Sequence, residues 1–306
     1  MSSDRPQPIL EADNVYVEYR GTPPVKAVRG VSLALYPGEV VGLVGESGCG
    51  KSTMARVLTG LLKPNRGEVT YRGQPLRPLG LGRRPLAETG IQMVFQDPGS
   101  SLNPRRRVEA QIADGLRIAV RRGALGLADE GSGEHSDEAS GERSGQRPNS
   151  GGPSTPAEWL VRVGMEADDA RRYPRSFSGG QRQRIAAARA LAARPDVLVA
   201  DEPISALDAS TQARVAYLMT TLAARQGTSL LFISHDLSVV RLIADRLVVM
   251  YAGRVVERGP TEQVWNDPRH PYTKSLLAAI PVPDGAGKLP AVGPAGEIYP
   301  DHEATR

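Results

Sequence analysis

One cysteine, Cys49, stands in 306 residues. A single thiol excludes an intramolecular disulfide framework and any multi-cysteine metal cluster. No run of about 18 apolar residues occurs, so no stretch has the length and character of a membrane-spanning helix. Met1 to Pro8 is polar and lacks the apolar core of a secretory signal. A cytosolic location is expected. The chain also lacks an internal repeat and sustained heptads, which argues against a solenoid or a long coiled-coil arm. Strong charge of one sign is missing too. The net charge is +4, and only Arg105-Arg106-Arg107 forms a short basic cluster. Scattered arginines read as a solvated surface, so no nucleic-acid partner is expected.

What is present is an ordinary globular composition, 40% hydrophobic and 24% charged, long enough to enclose a substantial core. Short apolar runs alternate with amphipathic stretches. Val40 to Val44, Ile91 to Phe95, Val197 to Ala200 and Ser229 to Ile233 have the character of buried parallel strands. Helical patterns cover about 52–62, 107–120, 180–193 and 210–225. This order predicts an α/β fold with a parallel core. Ile9 to Tyr19 and Val25 to Leu35 read as a preceding β-rich part. Leu247 to Tyr251 and Arg254 to Gly259 read as a hairpin around Ala252-Gly253. Residues 123–156 are rich in Gly, Ser and Glu and cannot bury enough surface to offset ordering entropy, so they are expected to be disordered. Residues 1–8 and 285–306 are expected to be flexible.

Gly45-Glu46-Ser47-Gly48-Cys49-Gly50-Lys51-Ser52 matches G-x-x-x-x-G-K-S between a strand and a helix. Glycines let backbone N–H groups converge on phosphate oxygens, and the helix N-terminus adds a favourable dipole. Lys51 places a charge on the β/γ-phosphates, and the Ser52 hydroxyl is suited to Mg²⁺. Thr53 follows at the helix start. Cys49 reads as a small loop residue, since no redox motif accompanies it.

Val197-Leu198-Val199-Ala200-Asp201-Glu202 is a buried strand ending in two acids. The carboxyl ends of parallel strands face the ligand crevice. Asp201 is therefore placed to hold Mg²⁺, directly or through water, and Glu202 to polarise the attacking water. The next strand ends at Ser234-His235-Asp236, where His235 is placed to reach the terminal phosphate.

These pieces occur in the order of the ABC-transporter nucleotide-binding domain. Ser178-Gly179-Gly180-Gln181, just before the acidic strand, resembles the ABC signature. The resemblance covers roughly residues 9–280. It implies a P-loop NTPase cassette with a parallel-sheet core, an N-terminal antiparallel β subdomain and a helical signature subdomain. By the same resemblance, Tyr19 is the aromatic that stacks on adenine, with Tyr16 and Val28 as alternative contacts. Gln96 is similar to the Q-loop glutamine that senses Mg²⁺ and the permease. Ser205-Ala206-Leu207-Asp208 is similar to the D-loop at a dimer interface, and His235 to the switch histidine.

Two further stretches resemble importers of oligopeptides, dipeptides and nickel. They are Gln96 to Arg105, with Ser101-Leu102-Asn103-Pro104, and Asn266 to Leu277, with His270-Pro271-Tyr272. The implied division is a cassette over 9–259, with a helical part at about 97–180, and an importer-type extension over 260–284. The implied activity is ATP hydrolysis with ATP and Mg²⁺ bound between two cassettes, the partner cassette being the same chain or a different one. The implied partners are membrane permease subunits and, indirectly, an external solute-binding protein. The implied place is the cytoplasmic face of the plasma (inner) membrane. An ABC ATPase acting on nucleic acid or ribosomes, or an importer of nickel or another small solute, is the alternative.

Overall fold

A computed structural model describes residues 7–80, 84–97, 101–124, 154–205 and 209–280. Two sheets organise them. The first is antiparallel and contains β1 (Leu10–Tyr19), β2 (Val25–Leu35), β4 (Arg66–Tyr71) and the short β5 (Gln74–Pro75), in the order β2-β1-β4-β5. The second runs β10-β9-β3-β8-β7-β6. It is built from β3 (Val40–Val44), β6 (Ile91–Val94), β7 (Val197–Asp201), β8 (Ser229–Ser234), β9 (Arg246–Tyr251) and β10 (Arg254–Pro260). All its neighbours are parallel except β10, which pairs antiparallel with β9 at the edge. The expected fold class holds.

Every residue of β7 and β8 is buried, as strands covered on both faces must be. Successive side chains point to opposite faces. Leu198, Ala200, Leu230 and Phe232 enter one hydrophobic cluster, while Val197, Val199, Leu231 and Ile233 enter the other. The second cluster is closed by the antiparallel sheet and by α1 (Lys51–Leu58). The first is closed by α2 (Val108–Ala124), α3 (Pro156–Arg162), α4 (Gly179–Ala192), α5 (Ala209–Ala224), α6 (Leu237–Ile243) and the last two helices, α7 (Thr261–Asn266) and α8 (Pro271–Ala278).

The helix α1 stops at Leu58, earlier than the apolar pattern suggested, because Gly60 takes φ +68 and Thr59 turns its hydroxyl back to the Ala55 carbonyl. The segment expected to be disordered starts too early and ends too late. Gly123 and Ala124 complete α2, and Thr155 caps α3 in a reciprocal capping box with Glu158, with Pro156 at the first helical position. The rest of that segment, and the tail from 281, lie outside the described residues.

The helix α2 extends because its end is anchored. Arg122 is 1% exposed; it donates to the Arg194 carbonyl at 2.5 Å and to Asp196 Oδ2 at 2.7 Å. Asp196 also pairs with Arg72 at 3.1 Å and accepts from the Tyr71 hydroxyl. One carboxylate thus ties β4 of the first sheet and the end of α2 to the chain entering β7. Breaking a buried ion pair by removing one partner costs about 3–5 kcal/mol. Since Arg72 remains beside Asp196, Arg122→Ala is expected to lower unfolding free energy by about 2–4 kcal/mol, read from the urea midpoint of the full-length chain.

Candidate nucleotide site

Four adjacent parallel strands end in one row. Val44 of β3 pairs with Ser234 of β8, Ile233 of β8 with Asp201 of β7, and Ala200 of β7 with Val94 of β6. The residues that follow these ends are the predicted glycine loop, His235, Glu202 and Gln96. Neighbouring strands are about 4.8 Å apart, so side chains from four distant stretches of sequence meet within one hydrogen-bonded cluster.

The loop leaves β3 with positive φ at three glycines: Gly45 (+147), Gly48 (+82) and Gly50 (+108). At Gly45 the close approach is as demanding as the dihedral. A Cβ there would lie 2.1 Å from the Met250 carbonyl oxygen. Gly253 N–H donates to the Cys49 carbonyl at 3.0 Å, so the β9–β10 turn braces the far side of the loop. Glu46, Ser47 and Gly48 are exposed at the loop crest. Burial pushes the Cys49 thiol up, which keeps it protonated and fits its reading as a loop residue.

Lys51 is 3% exposed and folds back over its own loop. Its Nζ donates to the Gly45 carbonyl at 2.7 Å and the Glu46 carbonyl at 2.8 Å, and lies 3.9 Å from Glu202 Oε1. Glu202 Oε2 accepts from Gln96 Nε2 at 3.0 Å and lies 3.4 Å from His235 Nδ1. Gln96, His235 and the loop lysine therefore converge on the Glu202 carboxylate. Glu202 itself sits at φ 44, off the strand geometry, with its N–H held by the Ile233 carbonyl at 3.0 Å. That kink lets the acid project from the end of β7. His235 is 54% exposed and can turn toward an incoming group.

Ser52 Oγ donates to Asp201 Oδ1 at 2.9 Å. Burial pushes the Asp201 carboxyl up, against the lowering effect of the Ser52 hydrogen bond. A hydroxyl and a carboxylate this close are hard oxygen donors. Mg²⁺ takes few protein ligands and keeps water and phosphate oxygens, so this small set fits it. Among the described residues no group of three or more His, Cys, Asp or Glu forms a separate metal cluster.

Tyr19 lies at the end of β1 with 37% exposure, and its hydroxyl is 3.3 Å from Thr53 Oγ1 at the start of α1. An exposed ring beside the phosphate loop is suited to receive a base. Tyr16 is also partly exposed, but Val28 is 1% exposed and faces the core, so it presents no surface to a base. Ser178 caps α4: its Oγ accepts from Gln181 N–H at 3.3 Å, and Gln181 Oε1 accepts from Ser178 N–H at 3.0 Å. Gln181 thus builds the cap, while Ser178, Gly179 and Gly180 form an accessible helix start whose first N–H groups have no intrahelical acceptor. Asp208 lies outside the described residues. Sequence reasoning missed Tyr272, whose hydroxyl accepts from the Glu46 N–H at 2.9 Å. In the sequence Tyr272 stands out only as part of the importer-type tail.

A phosphate-binding loop on the edge of a parallel sheet, with two acids, a glutamine and a histidine at the neighbouring strand ends, defines a P-loop ATPase cassette. The chain belongs to the ABC transporter family, whose model matches residues 28–205; a second model, the oligopeptide/dipeptide transporter C-terminal region, matches residues 256–303. It is 46% identical to the oligopeptide transport ATP-binding protein OppF of Bacillus subtilis, over 88% of this chain and 80% of that protein. It is 44% identical to the dipeptide transport ATP-binding protein DppF of Haemophilus influenzae, over 84% and 71%. The dimeric cassette MJ0796, a bacterial ABC transporter cassette, superposes with a TM-score of 0.64 at 26% identity, covering 82% of this chain and 98% of that one. A post-hydrolysis dimer of the same cassette, bound to ADP and Pi, gives 0.62. Among the described residues no helix is long and apolar enough to cross a membrane.

The loop geometry gives a direct test. Gly45→Ala must move the loop off Met250 or adopt a strained dihedral, a cost of about 1–3 kcal/mol. The Mg-ATP dissociation constant, measured by calorimetry, is expected to rise at least about tenfold, with the circular dichroism spectrum unchanged.

Proposed function

We propose that this chain is the ATP-hydrolysing subunit of a peptide importer. The observation that carries the reading is the convergence of Lys51, Gln96 and His235 on Glu202 at the end of the parallel sheet. The names of the curated relatives, oligopeptide and dipeptide transport ATP-binding proteins, supply the cargo class.

In this reading the loop N–H groups hold the triphosphate, and its charge draws Lys51 away from the Gly45 and Glu46 carbonyls. Tyr19 stacks on the base. Ser52 and Asp201, with Gln96, would hold Mg²⁺, which neutralises charge on the β- and γ-phosphates when bound. Glu202 orients a water and accepts its proton as the water oxygen bonds to the γ-phosphorus. The bond from the γ-phosphorus to the bridging oxygen breaks, and ADP leaves with that oxygen. His235 turns from Glu202 toward the γ-phosphate, where its ring N–H donates. Losing the Lys51 contact on binding leaves Glu202 free for the water, so substrate itself arms the base.

The second half of the site comes from another cassette. Ser178 and Gly180 of that subunit cap the γ-phosphate with the N-terminal end of α4, where N–H groups and the dipole favour an anion. By its resemblance to the D-loop, Asp208 is assigned to the same interface. The cassette spans 9–259 with a helical part at 97–180, and residues 260–284 form the importer-type extension. Permease subunits dock beside Gln96, against the open groove of about 580 Å³ lined by Ser101, Asn103, Arg105, Arg106, Asp114 and Arg189. The subunit works at the cytoplasmic face of the plasma (inner) membrane, and the external solute-binding protein acts through the permease.

Removing the base is expected to slow phosphate release by at least about a hundredfold in Glu202→Gln, while this variant with Mg-ATP and its cognate subunits dimerises by light scattering. A rate within about threefold of wild type would refute the role of Glu202. For the cargo, a strain lacking this gene is expected to lose uptake of di- or oligopeptides and retain nickel uptake; loss of nickel uptake alone would overturn the peptide assignment.

A further inference from the structure

The tail after β10 reaches back to the nucleotide loop. Glu257 of β10 accepts from the backbone N–H of Arg269 at 2.8 Å and of His270 at 3.0 Å, which fixes the chain as it enters α8. His270 Nδ1 then caps α8 by accepting from Tyr272 N–H at 3.1 Å. The Tyr272 ring packs on Tyr251, with centroids 4.2 Å apart, at the end of β9. The side chain is 3% exposed, and its hydroxyl takes the Glu46 N–H at 2.9 Å.

Glu46 is therefore held at both ends of its backbone. Its carbonyl is bound by Lys51 and its N–H by Tyr272. These two holds behave differently when nucleotide arrives. Lys51 is a charge that a triphosphate pulls away. Tyr272 is neutral, since burial pushes its hydroxyl up to about 12, and a phosphate exerts no comparable pull on it. Among the described residues, the remaining backbone bonds of the crest are Cys49 N–H to the Glu46 carbonyl at 3.3 Å, internal to the loop, and the Gly253–Cys49 bond at its opposite end.

We propose that Tyr272 is a positioning residue for ATP binding: its hydroxyl keeps the first turn of the phosphate loop in place through Glu46, so that the C-terminal extension completes the nucleotide site of its own subunit. This inference rests on the loop being the ATP site. A preorganised loop has less to lose in ordering when the phosphate binds, so the hydroxyl acts on ground-state affinity and not on the chemical step.

The test is Tyr272→Phe in the full-length chain assembled with its permease and partner cassette. It keeps the ring on Tyr251 and removes the acceptor. A neutral hydrogen bond of this kind is worth about a three- to tenfold change in affinity. KM for Mg-ATP is expected to rise about three- to tenfold, with kcat within about twofold. The melting temperature without nucleotide is expected to move by less than about 3 °C. Calorimetry with a non-hydrolysable ATP analogue is expected to show the same loss of affinity. An unchanged KM, a lower kcat at unchanged KM, or a lower melting temperature at unchanged KM would each overturn the proposal. If the wild-type assembly binds no nucleotide, the ATP reading fails and not the Tyr272 assignment alone.

Discussion

The register of four parallel strands is the constraint on which the site depends. β3, β8, β7 and β6 are neighbours in that order, and their carboxyl ends stop nearly level. Side-chain period along a strand is two, so a slip of one residue in any pair would turn Glu202 or His235 to the other face. The sheet resists such a slip because both faces are apolar and separately packed. A displaced β7 would have to exchange Val197 and Val199 with Leu198 and Ala200 between two cores of different shape. Chemistry at the rim is thus specified by hydrophobic residues inside the sheet.

The contacts of Lys51 lie within the site. Lys51 donates to two loop carbonyls and leans on the Glu202 carboxylate. A buried ammonium without such partners would be costly. The same contacts are ones that a phosphate can replace, since it offers more negative charge at similar reach. The Lys51 ammonium is therefore balanced by groups whose place a phosphate can take.

Much of this was legible in the sequence because the informative signals are local. The glycine spacing before Lys51, the apolar run ending in Asp201-Glu202 and the serine-glycine pair at the start of α4 each combine residue type with an element boundary. The parallel strands kept their extents to within a residue or two because short, fully apolar runs have abrupt ends, whereas β4 and β5, with few apolar residues, were not read from the sequence. Other features were hidden because they join residues far apart in the chain. The Asp196 cluster draws on residues from 71 to 196, and no periodicity marks Arg122 as buried rather than solvated. Tyr272 meets Glu46 across 226 positions of sequence. Val28 looked available because a strand pattern alone does not say which face lies against the core. The reach of α2 is not visible in the sequence because Gly123 is a poor helix former, while the carboxylate that receives Arg122 is supplied by a different segment.

The left-handed backbone of Glu202 carries an evolutionary consequence. A residue at φ 44 must tolerate a conformation that branched side chains avoid. Its side chain must also be an acid long enough to meet a lysine, a glutamine and a histidine at once. Conformation and chemistry filter the genetic alphabet at this codon independently, and few letters pass both. A glutamine keeps the length and tolerates the backbone, whereas a valine or an isoleucine would strain it.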